Sequence, residues 1–156
     1  MSAHLEAARA VYDELCDGLA GLLPSLDQAA LNWAPLGDET NSIAAMVRHV
    51  AGSMDAWLGR AVGETVARDR EAEFSYRGTA ADLLALLERS RAETRRRLER
   101  LATMDLSETV RYRRLGAAQE SELSRAWCVE HALIHAGEHW GQIQLTVQLR
   151  SAARSP

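Results

Sequence analysis

The chain is 156 residues long, enough for one domain with a hydrophobic core, and 47% of it is apolar. Its formal charge of −4 argues against general nucleic-acid binding, and its two cysteines, Cys16 and Cys128, are too few and too far apart to suggest a disulfide scaffold. Ala, Leu, Arg and Glu dominate while strand-like runs of Val, Ile and Thr are missing, so an all-α protein is expected before any motif is considered.

Residues 5–23 read as a first helix, with Leu5, Ala8, Val11, Tyr12, Leu15, Leu19 and Leu22 at helical spacing and Pro24 as the stop. Charges at Glu6, Arg9, Asp13, Glu14 and Asp17 deny this stretch the apolar run of a signal peptide. No later segment approaches the ~18 apolar residues of a membrane span, so a cytoplasmic protein with reduced thiols and no membrane partner is expected. Residues 25–40 form a connection long for a small bundle, expected to fold onto the core with Trp33 as its anchor. Thr40, Asn41 and Ser42 offer N-cap chemistry for a second helix, running from Ile43 through Met46, Val47, Val50, Met54 and Leu58 to about Val62.

Residues 63–78 read as a polar linker with Phe74 and Tyr76 as packing points. Thr79 caps a third helix, with Asp82 completing an imperfect capping box and Leu83, Leu84, Leu87, Leu98 and Leu101 forming the apolar stripe. Its other face carries Glu88, Arg89, Arg91, Glu93, Arg95, Arg96, Arg97, Glu99 and Arg100, a balanced set expected on a solvated surface. Residues 104–120 are irregular, with Thr109–Tyr112 as a short strand or hairpin. The fourth helix begins near Ser121 and continues to about Arg150, the longest and most apolar of the set. The expected architecture is a four-helix bundle with long inter-helix connections, as a single domain over residues 1–156.

Three of the five histidines, His131, His135 and His139, lie on that fourth helix. Spacing of four turns each side chain only about 40° from the last, so they form a stripe. Trp127, Val129, Ala132, Leu133, Ile134 and Ala136 surround them, which predicts a largely buried helix. A buried imidazole without partners costs roughly 1–3 kcal/mol, and a metal ion accepting a lone pair from each ring relieves that cost. Two His at i and i+4 can share one ion, and a third ligand is found in His49, flanked by Val47 and Val50 on the second helix. Three neutral nitrogens suit Zn, Ni or Fe(II) and leave coordination positions open. Against this stands the ordinary role of a lone His on a partly apolar helix, a hydrogen-bonded core residue. His131 is open to three roles, a ligand, a partner in the surroundings of the metal or a substrate contact, the second being preferred, and His4 is assigned to solvent.

The stretch His135-Ala136-Gly137-Glu138-His139-Trp140-Gly141-Gln142-Ile143 resembles the H-x-x-x-H-x-G-Q signature of the DinB-like (YfiT-like) family. Leu31-Asn32-Trp33-Ala34-Pro35, Asn41-Ser42-Ile43 and His49 match the same family's L-N-W-x-P segment and second-helix opening, in the same order. The resemblance implies a four-helix bundle, commonly a homodimer, holding a divalent metal through His49, His135 and His139. It gives Gly141 the role of close helix packing near the metal and Gln142 that of fixing a neighbouring loop. Residues 63–78 have no recognised counterpart in it.

Some members of that family are transferases or isomerases that use a low-molecular-weight thiol such as mycothiol or bacillithiol as cosubstrate. The chemistry is consistent, because a metal-bound thiol loses its proton near neutral pH. Arg111, Arg113, Arg114 and Arg150 are candidates for a carboxylate of such a cosubstrate, and Cys16 and Cys128 are expected to be core residues. Two alternatives carry weight: a metal-dependent hydrolase with Glu138 or Glu130 as general base, and a non-catalytic metal or small-molecule binder of the stress-response kind. Carboxylate-bridged di-iron chemistry is excluded, since no Glu precedes His131, His135 or His139 by three residues.

Overall fold

In the computed structural model, which describes residues 1–113 and 118–153, the helix starts are set by short polar side chains. Ser2 accepts from the Leu5 amide at the head of α1 (Ala3–Leu22), and Pro24 then turns the chain into a 3-10 turn, Leu23–Ser25. Asp27 caps the short α2 (Gln28–Leu31), and Ser42 caps α3 (Ile43–Ala61) by accepting from the Ala45 amide at 3.2 Å. Asp69 caps a five-residue α4 (Arg70–Phe74) inside the second connection. At α5 (Ala80–Leu101) the capping box is complete, with Thr79 and Asp82 each satisfying the other's backbone N–H. Strands β1 (Thr109–Tyr112) and β2 (Ser121–Ser124) pair antiparallel, Thr109 opposite Ser124 and Tyr112 opposite Ser121, before α6 (Arg125–Ala153).

The long helices form a ring: α3 lies against α5 and α6, and α1 closes it against the same two. The core is drawn from all four, with Leu5, Tyr12 and Leu19 of α1, Met54 and Leu58 of α3, Leu83, Leu87 and Leu98 of α5, and Cys128, Val129 and Ile143 of α6. Each large apolar side chain buried there contributes roughly 1.5–3 kcal/mol. A polar pair within the core is satisfied internally, the Tyr12 and Ser90 hydroxyls lying 2.6 Å apart. Cys16 and Cys128 are buried and unbridged, as expected. Among the described residues no helix is long and apolar enough to cross a membrane.

Several expectations are corrected. The fourth long helix starts at Arg125, not near Ser121, because residues 121–124 pair with β1; cross-strand hydrogen bonding overrides a segment whose Ser and Glu read as a helix start. The anchor of residues 25–40 is Leu31, 1% exposed, while Trp33 is only half-buried beneath the Arg150 guanidinium. Helix α6 is less buried than its composition suggests, with Ile134 60% exposed. Arg97 does not belong to the solvated face of α5: it is buried and pairs with Asp55 and Glu64.

Candidate metal centre

His49 is 2% exposed in the middle of α3, and its ring stacks on Phe74 at a centroid distance of 4.4 Å. Its Nε2 lies 3.3 Å from Nε2 of His135, and its ring centroid is 4.9 Å from that of His139. His135 and His139 come from successive turns of α6, their centroids 4.6 Å apart. One ligand atom from each of the three lies within 4.8 Å of the others, so the group could hold a metal ion. Two nitrogens bound to one tetrahedral ion at about 2.0–2.1 Å sit roughly 3.3 Å apart, which is the spacing between His49 and His135.

The remote nitrogens explain why these rings point inward. His49 Nδ1 faces Glu73 Oε2 at 3.0 Å, and His139 Nδ1 faces Gln142 Oε1 at 2.8 Å. With Nδ1–H donated to each oxygen, both rings keep an Nε2 lone pair directed at the common centre. His135 Nδ1 is buried without a hydrogen-bond partner among the described residues. Burial, followed by the neighbouring His139 and His49 rings, pushes His135 down to about 4. His139 is lowered by burial and by His49, so both α6 rings carry free lone pairs at neutral pH.

Glu73, 3% exposed, is the residue that sequence reasoning missed. Arg68 holds it with a two-pronged ion pair, Nε to Oε1 at 2.7 Å and Nη2 to Oε2 at 2.8 Å. Burial alone would raise the Glu73 carboxyl, but the hydrogen bonds from His49 and Arg68 outweigh it and keep it below the ordinary carboxylate range. The segment reaches α3 because glycines stand where it docks: a Cβ on Gly52 would strike the Glu73 carboxylate, and one on Gly59 would strike Val66. Gly52 and Gly59 are seven residues apart, hence on one face of α3, and Asp69 before an acidic first turn marks a helix start; together these were the available signal.

Other candidates fall elsewhere. His131 stacks on Trp127 at 4.6 Å and 8° and lies outside the three-histidine group, while His4 is exposed beside Glu130. Glu130 and Glu138 are both exposed. Gly141 does not serve close packing near the triad, since a Cβ there would meet nothing within 4 Å. Gln142 orients His139 directly. Arg113 lines a cleft of about 630 Å³ that opens onto His49 and His135, whereas Arg150 covers Trp33 and Arg114 lies outside the described residues. Trp57, Tyr112, Trp127 and His131 wall the cleft.

The model of the DinB superfamily matches residues 4–143. No curated protein is a significant match. A crystal structure of a conserved protein from Enterococcus faecalis is similar at a TM-score of 0.73 and 17% identity, over 96% of this chain and 97% of that one. At that identity the likeness carries the fold alone.

Proposed function

The chain belongs to the DinB superfamily, and from that membership we propose that it holds one divalent metal ion through His49, His135 and His139 and works as a metal-dependent transferase on a low-molecular-weight thiol. The observation that carries this reading is the set of three imidazoles with ligand atoms within 4.8 Å, two of them oriented by partners on their remote nitrogens. Neutral nitrogen donors of this kind suit Zn, Ni or Fe(II). When bound, such an ion lowers the pKa of a thiol beside it and so supplies a thiolate near neutral pH.

The chain's own residues divide the remaining work. Glu73, itself held by Arg68, accepts from His49 Nδ1–H and orients that ring, and Gln142 does the same for His139. Trp57, Trp127 and Tyr112 line the cleft that leads to His49 and His135. A hydrolytic reading asks for a general base at the cleft, where the wall offers His131 and no Asp or Glu among the described residues. The thiol-transfer reading puts the protein in the cytoplasm, where small thiols are kept reduced.

A homodimer belongs to the proposal. Ile134, Leu145 and Leu149 of α6 are exposed, and at ~100° per residue they fall within about 60° of arc, an apolar stripe suited to a second copy. A monomeric mass in solution would remove this part.

Metal content is the deciding experiment. About one ion per chain is expected in the purified protein, lost in His49→Ala and His139→Ala. A parent protein that neither contains metal nor takes up Zn or Ni would return the histidines to the role of core residues.

A further inference from the structure

The cleft over the triad has an unusual charge pattern for a chain of net charge −4. Arg60, Arg68, Arg70 and Arg113 line it, with no carboxylate among its lining residues. Arg68 is neutralised by Glu73, and Arg113 reaches Glu120 at 3.5 Å. Arg60 and Arg70 have no ion-pair partner among the described residues. On α5, by contrast, Arg91, Arg95, Arg96, Arg97 and Arg100 are each matched to acids of α1, of α3, of Glu64 or of their own helix.

Arg60 is held in an informative way. Its guanidinium lies over the rings of both Trp57 and Tyr112, 4.6 Å from each centroid. Two aromatic faces fix the plane of the fork and occupy none of its N–H groups in an ion pair. A guanidinium held by aromatic rings, with its donors outside any ion pair, can take a carboxylate through two parallel hydrogen bonds. Its place along α3 adds a distance. Arg60 follows His49 by eleven residues, three turns, so both stand on one face about 16 Å apart along the axis.

We propose that this cleft binds an elongated small organic carboxylate, its anionic end on Arg60, its body along the aromatic wall of Trp57 and Trp127, and its other end at the triad. The inference deepens the metal-dependent reading and rests on it for what happens at the triad, but capture of the anion rests on Arg60 alone.

The test uses 2-naphthoate against its neutral isostere 2-naphthamide, followed through the indole N–H signals of Trp57 and Trp127 by NMR, in protein treated with chelator and again after adding zinc. Chelator removes direct carboxylate–metal contact from the comparison. Naphthoate is expected to bind on the order of tenfold tighter than naphthamide in both states, and Arg60→Gln to abolish that preference while zinc uptake stays as in the parent. Arg60→Lys keeps the charge and the stem between the two rings but loses the fork, and is expected to retain a reduced preference of roughly threefold. Equal binding of acid and amide by the parent, or a preference unchanged in both variants, overturns the proposal. A protein that takes no zinc yet prefers the acid leaves this inference standing and removes the metal reading; one that takes zinc without preferring the acid does the opposite.

Discussion

Two connections of similar length cross this bundle, residues 26–42 and residues 63–79, and they end in different places. The first stays largely at the surface: Leu31 enters the core, while Trp33 is half-buried and Leu36 is 70% exposed. The second runs inward and delivers Arg68, Glu73 and Phe74 to His49. They also meet, for Gly78 donates its N–H to Asn32 Oδ1 and accepts from Asn32 Nδ2, both at 3.1 Å, and from Gln28 Nε2 at 3.0 Å. The first connection therefore fastens the C-terminal end of the second. What separates their roles is the surface each docks on: α3 offers the second one glycines, and backbone without Cβ atoms admits a carboxylate where a side chain would exclude it.

The largest effect is expected where that docking is blocked. Gly52→Ala puts a methyl group into the Glu73 carboxylate. Separating a buried ion pair costs about 3–5 kcal/mol, and about 1 is regained because Ala is the better helix former, so a net loss of roughly 2–4 kcal/mol is expected in urea unfolding. Unchanged stability with unchanged metal uptake would mean that the second connection does not depend on this contact.

Glu73→Gln keeps the shape and removes the charge behind His49. Metal affinity, measured by competition with a chelator, is expected to fall about 10–100-fold with the helical content intact. An unaltered affinity would make Glu73 a partner of Arg68 only.

Asn32→Ala sharpens the contrast from the other side. Losing its hydrogen bonds to Gly78 should cost about 1–2 kcal/mol of stability. Metal affinity should stay within a factor of about two if the first connection acts on the site only through fold stability. A drop as large as that of Glu73→Gln would give the two connections equal standing.

The burial of the histidines themselves is read in the pH dependence of the metal-free protein. His135 is pushed down to about 4 from an ordinary 6.5, so between those values the unfolded chain takes up a proton that the folded one refuses. Stability therefore falls as pH drops through that window, with His139 and His131, also lowered, acting in the same direction. Glu73 is lowered from 4.5, so its contribution is present above that value and is lost on further acidification. Glu73→Gln should remove the second, more acidic phase and leave the first. Denaturant midpoints taken across pH 3 to 7 would test the assignment, and a parent profile without loss between pH 6.5 and 4 would contradict it.

Helical periodicity, caps and stop signals were enough to read the four long helices and their apolar faces, because those are local properties of the chain: Ser42 and Thr79 start helices wherever they are placed before such runs. His135 and His139 were legible as neighbours for the same reason, one turn of α6 apart. His49 stood out as the candidate third ligand from its apolar setting, and a resemblance between motifs strengthened that reading, since no local rule relates residues on different helices. The role of residues 63–79 was decided by tertiary structure alone. Glu73 looks like any surface acid in a polar linker, and burying it is tolerable only because Arg68, His49 and the bare face of Gly52 converge on it in the folded chain. The fate of β2 and of Arg97 followed the same logic, each set by a partner distant in sequence. Sequence by itself thus determined the four long helices and the main apolar stripe of most of them. Only the packed structure could decide which polar groups are taken inside, because the cost of burying a charge is repaid by partners that no short stretch of chain contains.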